Sequence, residues 1–397
     1  MSRPQSPEPI NSPSHIPGTV NRDGRVVLDP DAPQAIGEGR ALHTRRILTA
    51  VVAACVAGAF GSDVAARRGP QASAVPVYPT EQQMAQSPVA QQHVANAMAT
   101  AGTDLVAESK NACQVLGPQV PALTRQATGQ PFVPTRRLEP VKIFDNLYYM
   151  GSNFVGAFAI TTSDGIILLD TLNSPQEAEE TLVEDLRTLG LDPTTVKHAI
   201  IGHGHVDHFG GAPYFQEQGA RVSLTAADWD LMERPSPPGT PEAAAFVQSL
   251  GVDPTTPRPR RDGVLTDGET VTLGGTSVTI LATPGHTDGS IAVLFPVTDK
   301  GLTYNALLLS GANQTPTPAS LASFTRALTT AKAAKAALLL NGHPGLFGNE
   351  LEWFDTIREN PAGPNPFMYG ESRFARYMDI MIECASARVA AMAYTAP

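Results

Sequence analysis

Positive charge is in short supply in this 397-residue chain: 28 Lys and Arg stand against 38 Asp and Glu, for a net charge of −10. A grip on nucleic acid or on an anionic membrane needs a basic face, so both are disfavoured and a small-molecule substrate is expected. Cysteine is nearly absent, with three residues at positions 55, 113 and 384. That argues against a closed structural zinc site, which usually counts cysteine among its four ligands. The apolar run 47–60, roughly 14 residues long, is too short for a spanning helix, which needs about 20. No internal repeat is visible.

Glycine (34) and proline (35) are abundant but uneven, and the prolines crowd into the first 140 residues and into 235–259. Residues 1–40, rich in Pro, Ser, Asp and Gly, read as a disordered extension. Residues 41–66 read as a signal peptide or an N-terminal anchor: Arg45 and Arg46, the apolar run and Val64-Ala65-Ala66 supply a charged start, a core and a cleavage-like site. The arginine pair resembles a twin-arginine export signal. It implies a periplasmic or secreted protein, with no stable membrane association unless the signal stays uncleaved. Residues 67–140 read as a linker with a helix predicted over 91–113, residues 141–360 as the main globular domain, and residues 361–397 as a helical extension packed on it. Cys55 falls in the run that export would remove. Cys113 and Cys384 then either pair, tying the leading segment to the C-terminal helix, or stand as two buried thiols.

Within 141–360 strand and helix signals alternate. Strands are predicted over 144–150, 154–162 and 166–170, with a turn at Ser163-Asp164-Gly165. A capping box from Ser174 to Glu177, with Pro175 at the first helical position, opens a helix whose inner face is Ala178, Leu182, Leu186 and Leu189. Strands follow at 196–201 and 221–225, a short helix at 226–232, and a proline-rich insertion at 233–263. Further strands (from 264, 291–295, 306–309, 337–340) and helices over 319–336 and 371–392 complete an α/β (α+β) layered domain.

The run 196–201 ends in Gly202-His203-Gly204-His205-Val206-Asp207-His208, four metal-type ligands at one strand end. In near-extended chain His203 and His205 leave the same face, while Asp207 and His208 fall where the chain must turn and can aim at a second point. Imidazole with carboxylate favours zinc-like ions over calcium or magnesium. Of nine histidines, His15 and His43 lie in the tail and signal segment, His93 in the leading helix and His198 within a strand. The remaining five, His203, His205, His208, His286 and His343, follow predicted strands in three glycine-bearing loops.

The His-x-His-x-Asp-His stretch resembles that of the metallo-β-lactamase superfamily, hydrolases built as a four-layer αββα sandwich. The resemblance covers roughly 141–345. It implies two Zn(2+) per chain, the first on His203, His205 and His286, the second on Asp207, His208 and His343. Asp170 would support the loops from behind the ligands. Where many superfamily hydrolases carry a bridging aspartate, this chain reads Ser310-Gly311-Ala312-Asn313. That serine, with His208 and Gly342-His343-Pro344-Gly345, is most similar to the third subclass of class B β-lactamases. The resemblance implies an exported zinc hydrolase in which a metal-bridging hydroxide opens a cyclic amide of the β-lactam type, Asp207 orienting the nucleophile and Ser310 and Asn313 contacting substrate. The alternative is a lactone or ester hydrolase of the same fold, and a third reading is a non-catalytic zinc-binding protein. Oligomeric state is not legible.

Overall fold

Nearly every central strand is apolar on both faces, so each sheet must be covered twice. Strands β1 (Val141–Phe144), β2 (Leu147–Gly151), β3 (Gly156–Thr162), β4 (Gly165–Leu169), β5 (Val196–Ile200), β6 (Arg221–Thr225) and β7 (Gly263–Leu265) form one sheet in that order. It is an antiparallel meander up to β4 and parallel from β4 to β7. A second sheet holds β8 (Thr270–Leu273), β9 (Thr276–Ala282), β10 (Ile291–Asp299), β11 (Leu302–Leu309) and β12 (Ala336–Asn341), antiparallel except for the β11–β12 pair. The computed structural model describes residues 78–113, 135–233, 253, 255–311, 316–344 and 349–395, and two short paired strands, Thr19–Val20 and Val26–Val27. The expected signal segment, the rest of the expected disordered extension, Asn313 and most of the 233–263 insertion lie outside the described residues.

The helices are α1 (Glu81–Gln86), α2 (Pro88–Ala101), α3 (Val106–Ala112), α4 (Pro175–Glu177 continuing through Ala178–Val183 and Glu184–Thr188), α5 (Val206–Phe209), α6 (Ala212–Glu217), α7 (Ala226–Glu233), α8 (Pro318–Ala333), α9 (Glu350–Glu359) and α10 (Glu371–Met392). Alternation of side chains sorts the layers. Phe158, Ile160, Ile167, Leu169 and Ile200 of the first sheet meet Ile280, Val293, Phe295, Leu308 and Leu340 of the second. On the outer face of the first sheet, Ala157, Ala159, Ile166 and Leu168 pack with Leu182 and Leu186 of α4. On that of the second, Leu294, Leu307 and Leu339 pack with Phe324 and Leu328 of α8 and Phe374 and Met378 of α10. The result is the αββα sandwich.

Several local expectations are corrected. The strand predicted over 144–150 is a hairpin, broken at Asp145-Asn146, because Asn146 leaves the ladder: its amide donates to Pro296 O and its oxygen accepts from Thr298 N. The leading helix starts at Pro88, where Ser87 caps Ala90 N, and is interrupted at Gly102, whose φ is +60°. The capping box at 174–177 is only half formed: Ser174 Oγ accepts from Glu177 N, but the Glu177 carboxylate reaches past Ser174 to Asn173 N and Nδ2. Helix α9 was not signalled. Helix α10 spans the expected 371–392, and Cys384 on it is disulfide-bonded to Cys113, closing the alternative of two thiols. Among the described residues no helix is long and apolar enough to cross a membrane.

Candidate metal centre

The site lies where strands β4, β5, β9, β11 and β12 release their chains into loops. Beyond β5, Ile201 N donates to Ser223 O and Gly202 N to Asp170 Oδ1, so the chain stays pinned between neighbouring strand ends until it reaches His203. Gly202 must be glycine: a Cβ there would sit 1.5 Å from Ser310 Oγ. His205 precedes the single-turn helix α5, which carries Asp207 and His208. The turn expected at this point is therefore helical.

The ring nitrogens converge as two groups. His205 Nδ1 lies 3.1 Å from both His203 Nε2 and His286 Nε2. On the other side His208 Nε2 is 3.2 Å from His343 Nε2, and Asp207 Oδ2 lies 3.6 and 3.5 Å from these two nitrogens. The structure thus brings together all six residues that the sequence nominated as ligands. Ligand atoms of His203, His205 and His286 lie within 4.8 Å of one another, as do those of His203, Asp207 and His208.

What points outward fixes what points inward. His208 Nδ1–H donates to Asp170 Oδ2 at 2.8 Å, and His343 Nδ1–H donates to Phe154 O at 2.7 Å. Each neutral ring then presents a lone pair at Nε2. Two lone pairs facing each other at 3.2 Å repel unless a cation or a proton lies between them. A zinc ion bound to nitrogen at about 2.0–2.1 Å in tetrahedral geometry would hold two nitrogens roughly 3.3 Å apart. The donor set therefore fits metal.

Electrostatics agree. Burial, then neighbouring imidazoles, hold His203 and His286 well below the ordinary histidine value, and burial brings His205 down to about 4. Burial likewise lowers His343. These rings are neutral at pH 7 and available as ligands. For His208 burial works downward, but the carboxylates of Asp170 and Asp207 outweigh it and raise the ring. Burial opposes the Asp207 anion, yet the surrounding histidines hold its carboxyl below the usual range.

Asp170, 2% exposed, takes a left-handed backbone with φ +61°, a strained choice for a non-glycine residue. Its two oxygens hold Gly202 N and His208 Nδ1, and next to it Thr171 donates from both N and Oγ1 to His208 O. Ser310, expected to touch substrate, is instead buried behind the ligands, its Oγ 3.5 Å from His203 Nδ1 and from Asp170 Oδ2. A hydroxyl there can accept from the ring and donate to the carboxylate, so its place is a supporting one.

Sequence reasoning missed Asp228. It is 1% exposed on α7 and accepts from Gly204 N, Gly289 N and Thr287 Oγ1. Burial pushes its carboxyl up to about 6, against three donors that favour the anion. The available signal was an acid in the first turn of a short helix at a strand end, a pattern too common to single it out. His198, on β5, is partly buried and does not join the centre. His93 pairs with Glu383 at 2.7 Å, remote from it.

Residues 152–299 match the family model described as the metallo-beta-lactamase superfamily. A hydroxyacylglutathione hydrolase of Acidiphilium cryptum (strain JF-5) is 34% identical over 97 residues, 24% of this chain and 29% of that protein. The chain thus matches under a third of that relative's length. Among solved structures, the subclass B3 metallo-beta-lactamase BJP-1 of Bradyrhizobium japonicum is similar at 26% identity, covering 61% of this chain and 89% of that one, with a TM-score of 0.48. The metallo-beta-lactamase FEZ-1 of Legionella gormanii is similar at 22% identity, covering 62% of this chain and 94% of that one, with a TM-score of 0.49.

Proposed function

We propose that the protein, whose residues 152–299 match the metallo-beta-lactamase superfamily model, is a metal-dependent hydrolase holding two zinc-type ions and opening a cyclic amide of the β-lactam type. The observation that carries the reading is the convergence of two ligand trios, His203, His205, His286 and Asp207, His208, His343, at one loop-built mouth. When bound, such a pair of ions polarises a carbonyl oxygen and lowers the pKa of water enough to supply a nucleophile at neutral pH. The chain's own residues prepare that chemistry. Asp170 and Phe154 O hold the protons of His208 and His343 on the outward nitrogens, so the inward ones stay free to coordinate. Asp207, kept ionised by its histidine neighbours, offers the one carboxylate of the centre and would orient the attacking water. Ser310 braces His203 from behind.

A β-lactam substrate is supported by the absence of a carboxylate at Ser310 and by the sequence Gly342-His343-Pro344-Gly345 that follows β12. Hydrolysis of a lactone or another ester is the second reading, and the 97-residue likeness to a hydroxyacylglutathione hydrolase favours it. Export is supported by the Cys113–Cys384 disulfide, a bond that persists in oxidising compartments, together with the twin-arginine-like segment.

The test is hydrolysis of a chromogenic cephalosporin, beside a lactone and ester panel, with metal content measured on the same sample. Turnover with about two zinc ions bound, lost on chelation, restored by zinc and absent in His208→Ala, is the expected result. Two bound ions with turnover only on the ester panel moves the substrate assignment. Turnover indifferent to chelation overturns the metal reading.

A further inference from the structure

Three loop donors close on a single buried carboxylate, that of Asp228. Asp228 Oδ2 accepts from Gly204 N at 2.8 Å and from Thr287 Oγ1 at 2.7 Å, and Oδ1 accepts from Gly289 N at 3.0 Å. Gly204 lies between His203 and His205, and Thr287 follows His286. The three histidines of the first trio therefore ride on two chain segments about 80 residues apart in sequence, joined at Asp228. The fit is close as well as bonded: a Cβ at Gly204 would come within 2.9 Å of Asp228 O, and one at Gly289 within 2.6 Å of Asp228 Oδ1. Thr225 Oγ1, at the end of β6, donates to Gly289 O at 2.9 Å and fixes the same loop to the strand that leads into α7. Thr287 Oγ1 and Ser290 Oγ are 2.7 Å apart, so the clamp continues into the start of β10.

We propose that Asp228 is a positioning residue for the first metal, clamping the loop of His203 and His205 to the loop of His286 at the spacing that lets their three nitrogens share one ion. The proposal rests on reading that trio as a metal site. It assigns the second trio no dependence on Asp228, since His208 and His343 are held by Asp170, Thr171 and Phe154 instead. Asparagine in place of Asp228 keeps the shape but offers one acceptor oxygen where two are used. Its NH2 then faces a donor that it cannot satisfy. Valine in place of Thr287 removes one of the three bonds and leaves the carboxylate intact.

The experiment separates the two ions with variants that keep one trio each. Full-length protein carrying His208→Ala retains the first trio, and His286→Ala retains the second. Zinc affinity is measured in each background by competition with a chromophoric chelator, with and without Asp228→Asn, folding being followed by circular dichroism. Zinc affinity in the His208→Ala background is expected to fall about 10–100-fold with Asp228→Asn, and to stay within about twofold in the His286→Ala background. Thr287→Val is expected to lower affinity in the first background only, by a smaller factor, and it decides the matter if Asp228→Asn does not fold. Unchanged affinity in the first background, or equal losses in both, overturns the proposal. Because the readout is metal affinity, an enzyme that binds zinc without hydrolysing any substrate offered leaves this test fully interpretable.

Discussion

The ring of His208 donates from Nδ1 to Oδ2 of Asp170 at 2.8 Å, although the two residues come from different strand ends 38 positions apart. The carboxylate settles which ring nitrogen carries the proton and thereby which one is left for a metal. In Asp170→Asn the amide oxygen can still serve Gly202 N, but its NH2 then faces His208. The ring shifts its proton to Nε2 and points it into the centre. Affinity for the ion proposed to bind Asp207, His208 and His343 should drop about 10–100-fold, read by chelator competition. Full affinity in a folded variant would show that the tautomer is set elsewhere.

Gly202→Ala meets Ser310 head-on, because the new Cβ would lie 1.5 Å from Oγ and 2.2 Å from Cβ of the serine. Overpacking of this kind costs about 1–3 kcal/mol and would displace the loop bearing His203. The double variant Gly202→Ala, Ser310→Gly removes both clashing atoms and should recover much of the loss. Denaturant unfolding of all four members of this cycle gives the coupling. Simple additivity would contradict the packing argument.

Metal-free protein should lose stability as pH falls below the ordinary histidine value. His203, His205, His286 and His343 titrate lower in the folded state than their usual range, because burial disfavours the imidazolium. Below about pH 6.5 the unfolded chain then binds protons that the folded one refuses, so unfolding is favoured as pH drops. His208 and the carboxyl of Asp228 are both raised and offset two of the four. A chelated sample should show a Tm that declines from pH 7.5 to 5. A flat Tm, or one that rises, would mean that these rings are protonated in the fold.

Breaking the Cys113–Cys384 disulfide should weaken the fold but spare the chemistry. The bond spans 271 residues and fastens the end of α3 to α10, on the outer side of the second sheet. Cys384→Ala should lower unfolding stability by about 2–4 kcal/mol in denaturant titration. Turnover per folded molecule should match the parent, and a large loss of turnover would show that the helical layer reaches the site.

The six candidate ligands and the strands that deliver them were legible because both leave local marks. His203, His205, Asp207 and His208 sit within six positions, and His286 and His343 each follow an apolar run with glycine beside them. Helix α10 was equally legible, since its buried Phe374, Met378, Met381 and Ala385 recur at helical spacing. Local marks misled where tertiary contacts compete. Asn146 looked like strand but bonds to β10, and Glu177 looked like half of a capping box but turns to Asn173.

Residue types and their spacing by themselves determined the layered fold and the grouping of metal-type side chains, because alternation of apolar side chains and the clustering of histidines at strand ends are properties of short stretches. Only the tertiary structure decided how the centre is held. Asp170 on His208, Ser310 behind His203, Phe154 O on His343 and Asp228 between the two loops are contacts across 38, 107, 189 and 59 positions. No periodicity carries such distances. A lone acid or serine at a strand end reads as an ordinary loop residue until folding sets it within 3.5 Å of its partner.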